Sequence, residues 1–187
     1  MARIYLVRHG KAKGQWGEER DPGLDHMGRE QARTAARSLA PLGPLKIVSS
    51  PYARALETSV PLAEIWNVTP RVDERIGEIP SPGEDLAERL QWLHRLVALK
   101  WLDLERNLKA WKSDVIGALC EFEEDTVLFS HSIAINAAVG EATGDDRVVC
   151  FWPENGSITT IDVNKSALSL IKGGVEDAQR NWNNIKV

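Results

Sequence analysis

The chain has 187 residues and a formal net charge of −4, with 43% hydrophobic and 27% charged residues. These values are typical of one globular domain with a sizeable core. The net negative charge argues against a general nucleic-acid-binding role, so any anionic ligand must be held by a local cluster of basic groups.

The cysteines and the N-terminal residues give an indication of the cellular compartment of the protein. Cys120 and Cys150 are too few for a disulfide scaffold and lack the spacing of metal ligands. The opening residues MARIYLVRHG contain no long apolar segment of a signal peptide. No apolar run approaches the roughly 18 residues that a membrane span needs. We therefore expect a cytoplasmic protein that binds neither a membrane nor nucleic acid, and we make no prediction of its oligomeric state.

Strand-like apolar runs alternate with helical patterns along the chain. In chain order, the pattern predicts a strand at 3–7, a helix at 26–42, a strand at 45–50, a helix at 52–66, a strand at 71–76, helices at 84–100 and 104–123, a strand at 126–130, a helix at 132–144, and a hairpin of strands at 157–164 and 167–172. The polar tail from Gly173 is expected to be poorly ordered. This alternation predicts one α/β domain over residues 1–187, a three-layer α/β/α sandwich with a mainly parallel central sheet.

Basic and carboxyl side chains follow the predicted strands at the points where the strands end. Arg8 and His9 follow the first strand, and Arg54 lies in the first turn of the helix after the second. Glu78 follows the third strand, and His131 follows strand 126–130. Ligands of open α/β sheets bind beyond the carboxyl ends of the strands. We therefore expect these side chains to converge if the strands are parallel neighbours.

This set of residue types fits phosphoryl transfer. Arginines bind phosphate oxygens bidentately, and a helix N-terminus adds backbone N–H groups. A neutral histidine is a competent nucleophile, and neighbouring arginines disfavour its protonated form. A carboxylic acid can give a proton to the leaving alkoxide. Because the arginines supply positive charge, we expect no metal and no other cofactor, and the sequence contains no HExxH motif, Asp-rich cluster or Walker P-loop.

The sequence resembles the histidine phosphatase superfamily, also called phosphoglycerate mutase-like. Six segments carry the resemblance, in the order that the family shows: LVRHGKA (6–12), DPGLDHMGREQA (21–32), SSPYARALETSVPLA (49–63), VDERIGEIPSP (72–82), LFSHSIAINA (128–137) and NGSITTIDV (155–163). An RHG triplet alone is a weak signal. Together with the SPxxRAxET helix and the late strand–histidine pair it is a specific one.

The resemblance implies a role for each residue of the cluster. His9 would be the nucleophile that becomes phosphohistidine, and Glu78 would be the proton donor. Arg8, Arg54 and His131 would complete the phosphate pocket, with His131 also taking part in catalysis. The stretch 80–123 would be a helical insertion that covers the site and shapes substrate choice.

We also predict roles for four residues that are close in sequence to this cluster. Ser132 replaces the glycine that usually follows the late histidine, and its hydroxyl is expected to cap the helix or to touch phosphate. Gln15 stands where relatives place an asparagine that contacts phosphate. Glu74 is the competing acid, and its more usual role would be an ion pair with Arg75 or Arg71. Gly10 would let the backbone turn close to the phosphate.

The residues after RHG favour hydrolysis over mutase chemistry. Lys11 and Ala12 are closer to the small signalling-type phosphatases of the family, and the chain is short for a glycolytic mutase. We predict a metal-independent phosphatase that acts on a small-molecule phosphomonoester or a phosphoprotein through phospho-His9. Three alternatives stay open: a phosphoglycerate-type mutase, a signalling phosphatase acting on phosphohistidine or another phosphoprotein, and a catalytically weak phosphate-binding module.

Overall fold

The helices and strands occur in the order that the sequence predicts. The computed structural model describes residues 1–14, 19, 21–83 and 85–178. Its elements are β1 (Ala2–Arg8), α1 (His26–Leu39), β2 (Lys46–Ser49), α2 (Ala53–Trp66), β3 (Arg71–Val72), α3 (Leu86–Leu96), α4 (Arg106–Cys120), β4 (Thr126–Ser130), α5 (Ser132–Thr143), β5 (Ile158–Asn164) and β6 (Ala167–Lys172).

A six-stranded sheet in the order β3-β2-β4-β1-β5-β6 forms the centre of the fold. The strands β1 to β4 are parallel, and the antiparallel hairpin of β5 and β6 extends the sheet beside β1. Strand β4 is buried along its whole length, as expected for a parallel strand covered on both faces. Arg8 pairs with Ser130, and Ser49 pairs with Phe129. The carboxyl ends of β1, β4 and β2 therefore lie side by side.

Successive side chains of the central strands enter two different apolar layers, because strand residues alternate between the faces of a sheet. On one face, Leu6 and Leu128 pack in a cluster with residues of α4 and α5. On the other face, Val7 and Phe129 pack with residues of α1 and α2. The predicted α/β sandwich with a mainly parallel sheet is confirmed.

A third apolar cluster packs residues of the chain between β3 and β4 against α5 and the segment after it. It contains Trp101 and Leu108 together with Ile79 and Ile133. Ile79 directly follows Glu78 in the sequence, and Ile133 directly follows Ser132. The first turns of α4 belong to this cluster, whereas its last turns pack on the sheet. The second half of α4 thus packs on the sheet, and the role of the stretch 80–123 as an insertion that covers the site stays a prediction.

Some predicted boundaries are wrong for local reasons. The strand predicted at 71–76 ends at Val72, because Asp73 caps a 3-10 turn at Glu74–Ile76 and accepts a hydrogen bond from Arg75 N–H. Helix α1 ends at Leu39 and passes into a 3-10 turn at Ala40–Leu42. The helices predicted at 84–100 and 104–123 are the shorter α3 and α4.

The first part of the tail is ordered, contrary to the prediction. Glu154 N–H donates to the carbonyl oxygen of Val175 at 2.7 Å, and Asp177 N–H donates to that of Trp152 at 2.8 Å. Backbone pairing of this kind needs no apolar side chains, so the polar composition did not reveal it. Residues 179–187 lie outside the described residues. Within the described ranges, no helix combines the length and the apolar character that crossing a bilayer requires.

Gly10 is required by a close approach of two chain segments. A Cβ atom at Gly10 would lie 2.9 Å from both the Cα and the carbonyl carbon of Gly28, in the first turn of α1. Real Cβ atoms essentially never approach backbone atoms so closely. The space beside Gly10 is thus filled by α1, which differs from the expected approach to phosphate.

We expect Gly10→Ala to lower the free energy of unfolding by about 1–3 kcal/mol, because the added methyl group must displace the α1 backbone. Gly117→Ala is the matched control, since a Cβ atom there has no neighbour within 4 Å on the exposed side of α4. It should be neutral or stabilising by up to about 1 kcal/mol, because alanine is the better helix former. Urea denaturation measures both, and equal destabilisation would contradict this account.

Candidate active site

His9 is held at the end of β1 with one ring nitrogen turned toward Arg54. The His9 side chain is buried, and its Nδ1 lies 2.8 Å from the carbonyl oxygen of Gly10. Because a carbonyl oxygen only accepts hydrogen bonds, Nδ1 carries the ring hydrogen and Nε2 carries the lone pair. Arg54 Nε donates to this Nε2 at 3.3 Å. The Nε2 lone pair of His9 therefore faces the basic cluster.

Both histidines of the site are held in the neutral form. Burial, followed by the positive charges of Arg54 and Arg8, lowers the pKa of His9 well below its ordinary value of 6.5. The pKa of His131 is also lowered, by burial first and then by Arg54, His9 and Arg8. At neutral pH each ring thus has one hydrogen and one lone pair.

Two buried guanidinium groups provide the positive charge. Arg8 Nη1 donates to the carbonyl oxygen of Pro153 at 2.6 Å. Arg54 has its Nη2 3.6 Å from Glu78 Oε2, and its guanidinium lies 4.9 Å above the ring centre of Tyr52. These contacts fix both side chains at the carboxyl edge of the sheet.

Glu78 lies inside the cluster. Its Oε1 accepts the Ile79 N–H at 3.1 Å, and its Oε2 lies 3.5 Å from His131 Nδ1. Burial raises the pKa of Glu78 above its ordinary value of 4.5, against the opposing charge of Arg54. The geometry therefore favours a carboxyl group that stays protonated to higher pH than an exposed one.

Glu74, the competing acid, is exposed in the 3-10 turn. The expectation that it pairs with Arg75 or Arg71 is wrong. Both arginines form ion pairs with Asp73, and Arg75 also pairs with Glu121.

His131 meets a partner that the sequence analysis missed. The Oγ of Ser50 lies 2.7 Å from His131 Nε2, and both residues are completely buried. The ring centres of His9 and His131 are 5.2 Å apart, and the ring centre of Tyr52 lies at the same distance from that of His131, with the two ring planes nearly perpendicular. The SSP triplet before α2 was the available signal, but the pairing of Ser50 with a residue 81 positions away needs the sheet register.

Asn155 is a second residue that the sequence analysis did not single out. Its Nδ2 donates to the carbonyl oxygen of His9 at 2.9 Å. The backbone beside it adds two bonds to the end of β1, from Gly156 N–H to Arg8 O and from Arg8 N–H to Ser157 O. The segment NGS, which contributed to the family resemblance, thus holds the backbone of the RHG triplet.

The remaining predicted residues have different outcomes. Ser132 is the first residue of α5, where His131 occupies the capping position, so the predicted capping role of Ser132 is wrong. Its Oγ is buried and has no hydrogen-bond partner among the described residues, so its contact with phosphate stays a prediction. Gln15 lies outside the described residues.

The charges of the cluster suit an anion. One ligand-type atom from each of His9, Glu78 and His131 lies within 4.8 Å of the others, a spacing that a divalent cation could also span. The permanent positive charges of Arg8 and Arg54 lie beside these atoms. They repel a metal cation and attract an anion with several acceptor oxygens. A phosphoryl group has this character.

The chain is similar to proteins of one enzyme family. Residues 4–82 match the family model described as histidine phosphatase superfamily (branch 1). Over 82 residues the chain is 39% identical to the glucosyl-3-phosphoglycerate phosphatase of Mycolicibacterium vanbaalenii, an alignment that covers 42% of this chain and only 36% of that relative. A longer alignment of 195 residues, 34% identical, covers 91% of this chain and 94% of the putative phosphoserine phosphatase 2 of Hydrogenobacter thermophilus.

The fold is similar to that of a phosphatase of known structure. The structure of the phosphoserine phosphatase from Entamoeba histolytica in complex with 3-phosphoglyceric acid superposes with a TM-score of 0.74 at 20% identity, covering 94% of this chain and 98% of that one. The alignment with the Hydrogenobacter protein extends over nearly the whole of both chains, and the family model matches the segment that carries His9, Arg54 and Glu78. This chain therefore belongs to the histidine phosphatase superfamily.

Proposed function

We propose that this protein is a metal-independent phosphatase that hydrolyses a phosphomonoester or a phosphoprotein through a phosphohistidine on His9. The observation that carries the proposal is the buried contact of three groups. A neutral His9 presents its Nε2 lone pair beside the Arg54 guanidinium, and Arg54 lies 3.6 Å from the Glu78 carboxyl group. The names of the relatives as phosphatases support the same class of reaction.

In the first step, His9 Nε2 attacks the phosphorus atom in line with the ester oxygen. The N–P bond forms as the P–O ester bond breaks, and protonated Glu78 gives its hydrogen to the leaving oxygen. Arg8 and Arg54 hold the peripheral phosphoryl oxygens, together with His131. Because these donors are already fixed in a buried site, they stabilise the charge that develops without reorganising.

In the second step, the ionised Glu78 takes a proton from a water molecule that attacks phosphohistidine. The new P–O bond forms as the N–P bond breaks, so inorganic phosphate leaves and His9 returns to its neutral form. Glu78 ends the cycle protonated, ready for the next ester. The raised pKa of Glu78 suits a group that must serve as acid and base in turn.

We expect the wild-type protein to hydrolyse members of a phosphomonoester panel in the presence of a chelator. His9→Ala should lower kcat/KM by roughly 10³-fold or more, because it removes the attacking nitrogen. His26→Ala is the control, since His26 is an exposed histidine at the first residue of α1. Phosphate release and, with an added alcohol acceptor, phosphoryl transfer are measured together.

The outcomes of this assay separate the alternatives. Equal turnover by His9→Ala, or loss of activity in the chelator, would contradict the proposed mechanism. Transfer to glycerate in preference to water would instead identify a mutase, and phosphate binding without turnover would identify a binding module.

We expect Glu78→Gln to lower kcat on an alkyl phosphate by roughly 10²–10⁴-fold, because the alkoxide then leaves without its proton donor. Glu74→Gln is the matched control, since it makes the same change at an exposed carboxylate four residues away. A phosphohistidine peptide serves as the second substrate, because an imidazole leaves more easily than an alkoxide. Equal losses in the two variants would exclude Glu78 as the acid, and Glu78→Gln activity that survives only on phosphohistidine would favour the signalling phosphatase.

The pH dependence of kcat/KM tests the protonation states. The reaction needs neutral His9 and protonated Glu78, so activity falls on the acid side as His9 gains a proton and on the alkaline side as Glu78 loses one. Because the pKa of His9 is lowered and that of Glu78 is raised, the acid limb should lie below pH 6.5 and the alkaline limb above pH 4.5. With an alkyl phosphate of known ionisation, Glu78→Gln should lose the alkaline limb, and Glu74→Gln should keep it. A limb that persists in Glu78→Gln would contradict the assignment.

A further inference from the structure

We infer that Ser50 is a positioning residue that sets the tautomer of His131, so that the neutral ring presents its Nδ1–H to the phosphoryl group. The inference rests on the proposed function for the identity of the ligand. The hydrogen bond between Ser50 and the ring, and the tautomer that it selects, belong to the free protein and are tested there.

The contacts of Ser50 indicate the direction of its hydrogen bond. Its Oγ lies 2.7 Å from His131 Nε2 and also receives a weak hydrogen bond from Tyr52 N–H at 3.4 Å. Within the part of the chain that the structure describes, His131 Nε2 is the only acceptor in reach of this hydroxyl group. The hydroxyl hydrogen of Ser50 therefore points at Nε2, which accepts with its lone pair. In a neutral imidazole the other nitrogen, Nδ1, must then carry the hydrogen.

The position of His131 Nδ1 allows this tautomer to donate a hydrogen bond to the ligand. Nδ1 is buried, has no hydrogen-bond partner among the described residues, and lies 3.5 Å from Glu78 Oε2. A hydrogen on Nδ1 can be donated to a phosphoryl oxygen that enters beside Glu78. The opposite tautomer would present a lone pair to the same oxygen, and two acceptors repel each other.

The surrounding charges disfavour the doubly protonated form of the His131 ring, so only one of its nitrogens can donate a hydrogen bond. The groups that face His131 are Glu78, Arg54, His9 and Arg8, with the edge of Tyr52 beside them. The two arginines and the burial disfavour the imidazolium form, in which both nitrogens would donate. The single hydrogen of the neutral ring must therefore be on the correct nitrogen, and Ser50 is the group that holds it there.

The test is ¹⁵N NMR of the full chain with labelled histidine, assigned by comparison with His131→Gln, together with titration of inorganic phosphate. In the wild type, Nε2 of His131 should show the chemical shift of an unprotonated nitrogen and Nδ1 that of a protonated one. In Ser50→Ala, this assignment should be lost or mixed, and the Kd for phosphate should rise about tenfold, the scale of one lost hydrogen bond to a charged ligand. Ser50→Thr, which keeps the hydroxyl group, should restore the wild-type tautomer.

Ser49→Ala is the matched control. Ser49 is equally buried at the end of β2, but its Oγ donates to the carbonyl oxygen of Ser50 and not to the ring. This variant should keep the wild-type histidine spectrum and phosphate affinity.

A wild-type His131 protonated at Nε2 would overturn the inference, even if Ser50→Ala does not fold. So would a folded Ser50→Ala with unchanged ¹⁵N shifts and phosphate affinity. If the wild type does not bind phosphate, the proposed function fails, and the tautomer measurement still decides the role of Ser50.

Discussion

The site depends on the parallel register of three neighbouring strands. Because β1, β4 and β2 run in the same direction and end at the same edge, the residues that follow them come together although they are far apart in sequence. His9 N–H donates to Ser130 O, and Ser50 N–H donates to Phe129 O, so the ladder continues past the last paired residues. The backbone of His9 and Ser50 is consequently fixed by hydrogen bonds to β4, which orients their side chains toward the same edge of the sheet.

One environment produces opposite changes in the two kinds of titratable group. Burial disfavours every charged form, so it lowers the pKa of His9 and His131 and raises that of Glu78. The charges of Arg8 and Arg54 lower the pKa of the histidines further and only partly oppose the change at Glu78. The result is a free site in which the arginines are charged, the pKa values of the two histidines are lowered, and the pKa of Glu78 is raised. In its neutral form, the Glu78 carboxyl group does not repel the dianion of a phosphate ester.

Short, local features of the sequence predicted the elements well where packing did not override them. The uninterrupted apolar run TVLFS predicted a buried strand, and β4 is one. The run RVDERI has strand formers too, yet Asp73 caps a turn inside it and the strand stops after two residues. Its own side chain competes with the sheet for the backbone N–H groups, which a hydrophobicity pattern does not register. A hydrophobicity pattern also does not register the order of residues 173–178, because that order comes from backbone pairing with residues 152–154.

The sequence by itself determined the α/β class, the resemblance to histidine phosphatases, the places of Arg8, His9 and His131 at the ends of β1 and β4, and that of Arg54 in the first turn of α2. These depend on residue types and on spacing along the chain, which are local properties. Only the tertiary structure decided that Glu78 is buried in the cluster while Glu74 is exposed, that Gly10 makes room for α1, and that Ser50 and Asn155 contact the two histidines. These features depend on contacts between residues far apart in the chain, and the contacts exist only once the strand register and the packing of the helices bring them together.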